Sequence, residues 1–177
     1  MDRGLVEFLR GLEPVARERV EWLEADCASY LTERDPPLAL VTSVRAVIRR
    51  GDAVLVFDDA VGAPHVVPGG RRESGETLRA TLERELREET GCTILGEPVL
   101  LGAMHFRHLR PRQADYEYPY PDFLQVVFAV ATRAEPVEPE AWVDARAPRF
   151  VSLDTLESMR LRPCERAFVA PSAAVAP

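Results

Sequence analysis

The chain has 177 residues, a hydrophobic fraction of 46% and a formal net charge of −7. That length suits one domain with an appendage, and the apolar content is enough for a packed core. The acidic balance argues against a protein built to coat a nucleic-acid polymer, which carries a basic footprint, yet leaves small phosphate ligands open because a bound metal inverts the local sign. Three cysteines, Cys27, Cys92 and Cys164, are far apart and without Cys-x-x-Cys spacing. They read as packed thiols in a reducing compartment and not as a zinc site. The early apolar stretch is broken by Arg and Glu, and no apolar run approaches the length of a membrane span, so a cytoplasmic location with no membrane partner is expected.

In chain order, residues 3–34 predict two helices. Leu5, Phe8, Leu9 and Leu12 mark a short first one ending near Gly11. Pro14 suits the first turn of a second, along which Ala16, Val20, Leu23, Cys27 and Tyr30/Leu31 recur at helical spacing. Residues 1–36 are thus expected to be a helical extension covering the main domain, with a homodimer contact or a lid over the substrate site as the functional readings. The main domain is expected over residues 37–163. Val41 to Arg49 reads as a strand, Arg50-Gly51-Asp52 as a hairpin turn and Ala53 to Phe57 as the return strand. A helix from Thr77 to Thr90 follows, capped by Ser74 and stopped at Gly91. Thr93 to about Phe106 is strand-like, with an interruption at Gly96-Glu97-Pro98. Phe123 to Thr132 is apolar enough for both faces to be covered. Arg149 to Val151 is a short strand, and Ser152 caps a helix to about Met159. Residues 164–177 read as a disordered tail. These elements define an α/β fold.

The most informative window is residues 70–92, GRRESGETLRATLERELREETGC. On a wheel of about 100° per residue, Leu78, Leu82 and Leu86 form the core stripe, and Arg79, Glu83 and Arg87 a solvated ladder. Glu85 and Glu89 border the apolar stripe, with Glu88 one turn from Arg84. Like charges at helical spacing repel, and a divalent cation among them would remove that cost, since hard ions take carboxylate oxygens and substrate phosphates. Periodicity leaves this reading open beside that of a charged surface helix whose Glu and Arg pair with each other.

The window resembles the Nudix box, G-x5-E-x7-R-E-U-x-E-E-x-G-U with U apolar. Gly70, Glu76, Arg84, Glu85, Leu86, Glu88, Glu89 and Gly91 match at the required spacing. Cys92 stands at the last apolar position, where it packs as a small hydrophobe. The preceding Pro68-Gly69-Gly70 is also typical of the family. The resemblance implies an α/β/α sandwich with a mixed sheet, and a loop–helix–loop that holds Mg²⁺, with Mn²⁺ as a substitute, against a diphosphate that water then cleaves. It assigns Glu85, Glu88, Glu89 and the carbonyl of Gly70 to the metal. Arg84 would orient the carboxylates and Glu76 brace the loop, so that Glu85, Glu76 and Arg84 form the catalytic set. The implied substrate is a small nucleoside diphosphate derivative or nucleoside triphosphate. Such family members often add a carboxylate from outside the box. Asp115, Glu117, Asp122, Glu135, Glu138 and Glu140 are candidates, with Glu117 and Glu138 first. Markers of particular substrate classes outside the box are not evident. A Nudix-fold module that binds a nucleotide metabolite without turnover is the alternative.

Substrate choice is expected in the loop from Arg107 to Asp122. Arg107, Arg110 and Arg112 suit phosphate oxygens, and Tyr118 suits stacking on a base. The competing reading is a solvated loop with its aromatics packed for structure. His105 and His108, three apart on a strand, point to opposite faces and do not share a metal.

Overall fold

The computed structural model describes residues 2–139 and 145–175. Helix α1 (Arg3–Leu9) starts at Asp2, whose carboxylate accepts from the Leu5 amide, and buries Leu5 and Phe8. The second N-terminal helix does not form. Ala16–Val20 is strand β1, Glu21–Leu23 a 3-10 turn and Ala25–Leu31 strand β2, paired as an antiparallel hairpin. The reason is that residues four apart share a face in a strand as well as in a helix. Ala16 with Val20, and Cys27 with Leu31, satisfy both patterns. The choice falls to β2's partner, strand β7 (Leu95–His108), which pairs with it from Ala25 to Leu31. Residues 1–36 are therefore one short helix and a hairpin that continues the sheet.

The remaining elements are β3 (Val41–Arg50), β4 (Ala53–Asp58), β5 (Pro64–His65), β6 (Gly69–Arg71), α2 (Leu78–Thr90), β8 (Asp122–Ala131), β9 (Arg146–Val151), α3 (Leu153–Ser158) and α4 (Pro163–Arg166). All nine strands form one sheet in the order β1-β2-β7-β8-β3-β4-β5, with β6 also on β3 and β9 on β4. The β3–β8 pair is parallel and its neighbours are antiparallel, so the sheet is mixed. The expected break in β7 is a register shift between Leu95 and Val99 within one continuous strand.

The alternation of β3 divides the core. Val44, Ala46 and Ile48 face α2, where they meet Leu82 and Leu86. Val47 faces the opposite side, with Val54, Val56 and Val127, against Leu156, Leu161, Cys164 and Phe168. Helical layers thus cover both faces, as an α/β/α sandwich requires. Cys164 and Phe168 are wholly buried, so the chain from 164 to 175 is not a disordered tail but part of the core. Ser152 caps α3 as expected, its hydroxyl accepting from the Thr155 amide. No helix among the described residues is long and apolar enough to cross a membrane.

Candidate active site

Strand β6 lays two glycines along β3, Gly69 opposite Arg45 and Gly70 opposite Val44. At Gly69 (φ 131°) a β-carbon would lie 2.3 Å from the Val44 carbonyl oxygen. At Gly70 a β-carbon would lie 2.3 Å from Glu85 Oε2. The Glu85 carboxylate therefore rests directly on the bare backbone of Gly70. Helix α2 delivers it. Its cap is Thr77, whose hydroxyl accepts from Ala80 N at 3.1 Å, and not Ser74, because Glu76 ties the preceding turn by accepting from Glu73 N at 3.1 Å. The helix stops at Gly91 in the left-handed region.

Arg84 organises the carboxylates. Its Nε and Nη2 donate to Glu76 Oε1 and Oε2 at 2.8 and 3.0 Å, a bidentate pair. Its Nη1 donates to Glu85 Oε1 at 2.7 Å and Glu88 Oε2 at 3.5 Å, and Nη2 to the Arg71 carbonyl at 3.0 Å. Glu76 also accepts from Thr81 Oγ1 at 2.8 Å. Arg84 above all, then the Glu73 amide and Thr81, hold the Glu76 carboxyl down at about 2. Glu76 first, then Glu85, raise the Arg84 pKa against the opposing effect of burial. Glu85 is buried, Glu89 half-buried and Glu88 exposed. Glu89 Oε2 accepts from Gly69 N at 2.6 Å, so both glycines carry a box carboxylate.

Glu89 also borders a cleft of about 290 Å³ lined by Arg45, Gln125, Asp59, His65, Glu165 and Trp22 among others. Arg45 is held by Gln125 Oε1 at 2.7 Å and the Val67 carbonyl at 3.1 Å. His65 Nδ1 meets Glu165 Oε1 at 2.7 Å, and Nε2 meets Asp59 Oδ2 at 3.4 Å. Burial opposes a charge on His65, but Glu165 and then Asp59 outweigh it and lift the imidazole pKa above 6.5. Glu165 Oε2 further accepts from Val66 N at 3.2 Å, which ties α4 to the segment that leads into Gly69 and Gly70. The carboxylates of this cleft, besides Glu89, are thus Asp59 and Glu165. Neither Glu117 nor Glu138 lines it. Glu138 accepts from Ala147 N at 3.2 and 3.1 Å, Asp122 is buried against His105 at 2.9 Å, and Glu135 pairs with Arg50. Glu140 lies outside the described residues. Arg45 had a signal in the sequence, a cation between Val44 and Ala46 in the middle of strand β3. Glu165 had none, being 100 residues from its histidine.

The end of β7 and the loop from β7 to β8 divide the expected substrate residues. Arg107 pairs with Asp122 at 3.2 Å and lines a separate cavity with Tyr30 and His105. Arg110 pairs with Glu24, and Arg112 donates to the Tyr116 carbonyl at 2.8 Å. Both line a cleft of about 260 Å³ with His108, Tyr116 and Tyr120. Tyr118 reaches the box, its ring under the Arg71 guanidinium at 4.3 Å and its hydroxyl accepting from Arg71.

The donors on α2 and β6 are oxygens, as a hard divalent cation demands. The space over Gly70 that a side chain would fill is taken by the Glu85 carboxylate. Among the described residues the three box carboxylates do not all converge within 4.8 Å of one another.

Residues 39–170 match the NUDIX domain family, and the chain belongs to that family. A stretch of 60 residues is 42% identical to the uncharacterized Nudix hydrolase YvcI of Bacillus subtilis, covering 34% of this chain and 37% of that protein; the match thus spans little more than a third of that relative. The fold is similar to that of the Bacillus subtilis pyrophosphohydrolase BsRppH, with a TM-score of 0.59 and 15% identity over 90% of this chain and 94% of the other. It is also similar to the MutT protein of Bacillus halodurans, with a TM-score of 0.54 and 19% identity over 72% and 78% of the two chains. At such identities these two likenesses concern the fold.

Proposed function

We propose that this chain is a divalent-metal-dependent Nudix hydrolase that cleaves a diphosphate linkage in a nucleoside diphosphate derivative or nucleoside triphosphate by attack of water on phosphorus. The observation that carries the reading is the seating of Glu85 on Gly70 and Glu89 on Gly69, with Arg84 binding Glu76, Glu85 and Glu88 together. Glu85, Glu88, Glu89 and the carbonyl of Gly70 would hold the cation, Mg²⁺ with Mn²⁺ as substitute. When bound, such an ion neutralises diphosphate charge and lowers the pKa of water. Arg84 and Glu76 keep the carboxylates oriented, and Arg45 presents positive charge to phosphate oxygens in the adjoining cleft. The three free, buried thiols suit a reducing compartment.

The test is release of phosphate or nucleotide from a panel of nucleoside diphosphate derivatives and triphosphates, with Mg²⁺ and with excess chelator. Glu85→Gln and Glu89→Gln should each lower turnover by orders of magnitude with little change in melting temperature. Full turnover in chelator sinks the metal-dependent reading. Tight nucleotide binding with no turnover of any substrate would favour a binding module instead.

A further inference from the structure

Trp22 is 80% exposed. A tryptophan can bury 150–250 Å² and is ordinarily spent on packing, so its position needs a reason. It sits in the 3-10 turn Glu21–Leu23 at the tip of the β1–β2 hairpin. The tip is held without it. Leu23 packs against the core, the Glu24 carbonyl accepts from Leu109 N at 3.0 Å, and the Glu24 carboxylate pairs with Arg110. These anchors hold the indole at the junction of two clefts, for Trp22 and Leu23 line both the cleft that contains Glu89 and the one that contains Arg110 and Arg112.

The other rings in these clefts are already engaged. Phe57 stacks on His65, Phe106 on Phe123, and His108 contacts both Tyr116 and Tyr120. Among the described residues, Trp22 is the ring of the two clefts that contacts no other ring. One face of Tyr118, the residue expected to stack on a base, is covered by Arg71, and Tyr116 contacts the ring edge to face. A flat, apolar, unstacked indole beside anchored cations and the box carboxylates suits a flat aromatic group joined to phosphate.

We propose that Trp22 is the base-recognition residue, its indole stacking on the nucleobase of a nucleotide whose diphosphate lies at Glu85 and Glu89. The proposal rests on the hydrolase reading for the phosphate end and adds the residue that reads the base, which would favour base-containing diphosphates over those whose other moiety is a sugar or an alkyl chain. Every base has a π face, so stacking of this kind selects for a base without selecting one base strongly. It also gives the N-terminal hairpin a role, since its tip carries the indole to the site.

Because the side chain is exposed, Trp22→Leu and Trp22→Phe should fold as the parent does. With Mg²⁺ present, ADP, CDP and inorganic pyrophosphate are titrated calorimetrically against all three proteins, and tryptophan fluorescence is followed in the parent and in Trp22→Phe. ADP and CDP should quench the parent's fluorescence, and most of the quenching should vanish in Trp22→Phe, which retains only the chain's other tryptophan. Trp22→Leu should weaken ADP binding about five- to a hundredfold and leave pyrophosphate binding unchanged, with Trp22→Phe between. Unchanged ADP affinity in Trp22→Leu, or an equal loss for ADP and pyrophosphate, overturns the base assignment while pyrophosphate binding to the parent leaves the hydrolase reading standing. If pyrophosphate and both nucleotides fail to bind the parent with Mg²⁺, the hydrolase reading fails and the base assignment with it.

Discussion

Gly70→Ala isolates the step from backbone geometry to chemistry. A β-carbon at Gly70 would stand 2.3 Å from Glu85 Oε2, 2.5 Å from Cδ and 2.7 Å from Oε1, where ordinary contact begins at 3.4 Å. The carboxylate must therefore retreat by about 1 Å, and a misplacement of that size in a catalytic group can cost about a hundredfold in rate. The fold should survive. Gly70 is not in the left-handed region and the obstructing atoms are the far end of a flexible side chain, so the stability loss sits at the low end of overpacking, about 1 kcal/mol. Gly69→Ala is the control with the opposite outcome. Its β-carbon would meet the Val44 carbonyl oxygen at 2.3 Å and Arg45 Cα at 2.7 Å, at φ 131°; both atoms are backbone and cannot yield. The assay is kcat and Mg²⁺ activation on a substrate found by the panel above, alongside the melting temperature. Gly70→Ala should lose roughly two orders of magnitude in kcat with a nearly unchanged melting temperature, whereas Gly69→Ala should melt far earlier. Parental kcat and Mg²⁺ dependence in Gly70→Ala would refute the argument that Glu85 acts from its seat on Gly70.

Four further outcomes are expected. Glu76 has a folded pKa of about 2 against an ordinary 4.5, so its contacts stabilise the protein above pH 4.5 and that contribution is lost as pH falls toward 2; Glu76→Gln should flatten this part of the melting-temperature profile, and an unchanged acid limb would count against the Arg84 pair. For His65, raised above 6.5 by Glu165 and Asp59 against the opposing effect of burial, the sign is reversed. Its stabilisation is full below pH 6.5 and fades as pH rises through the elevated value, so an NMR titration should place the ring above 6.5 and Glu165→Gln should lower it. Phe168→Ala removes a fully buried ring and should cost about 3–5 kcal/mol, read as a shifted urea midpoint; no shift would mean that the C-terminal segment packs on nothing important. Arg107→Ala should leave KM for a nucleotide substrate unchanged, because Arg107 is engaged by Asp122 and lies outside the Glu89 cleft; a tenfold rise in KM would return it to the substrate site.

What the sequence by itself determined is local. The box was legible through its resemblance to the Nudix box, which periodicity alone left open, and that resemblance could be read because its positions lie within one helix and the loop before it. The i, i+3 and i+4 positions of Glu85, Glu88 and Glu89, and the turn at Gly69 and Gly70, follow from helical periodicity and glycine geometry. Strands β3, β4 and β8 and the Ser152 cap were legible for the same reason, each being decided by its own residues and immediate neighbours. Tertiary structure decided the rest wherever local preferences were nearly balanced or a partner was distant in the chain. Ala16 and Val20 fit a helix and a strand equally, and the open edge of β7 chose the strand. Ser74 was the expected cap of α2, and the contact of Glu76 with the Glu73 amide leaves the cap to Thr77. The Ala- and Pro-rich segment after residue 163 looked free because its burial depends on a sheet face assembled from strands more than thirty residues away. Glu165 found His65, and Trp22 found the cleft of Glu89, because a curved mixed sheet brings its termini onto one face, an arrangement that no local pattern encodes.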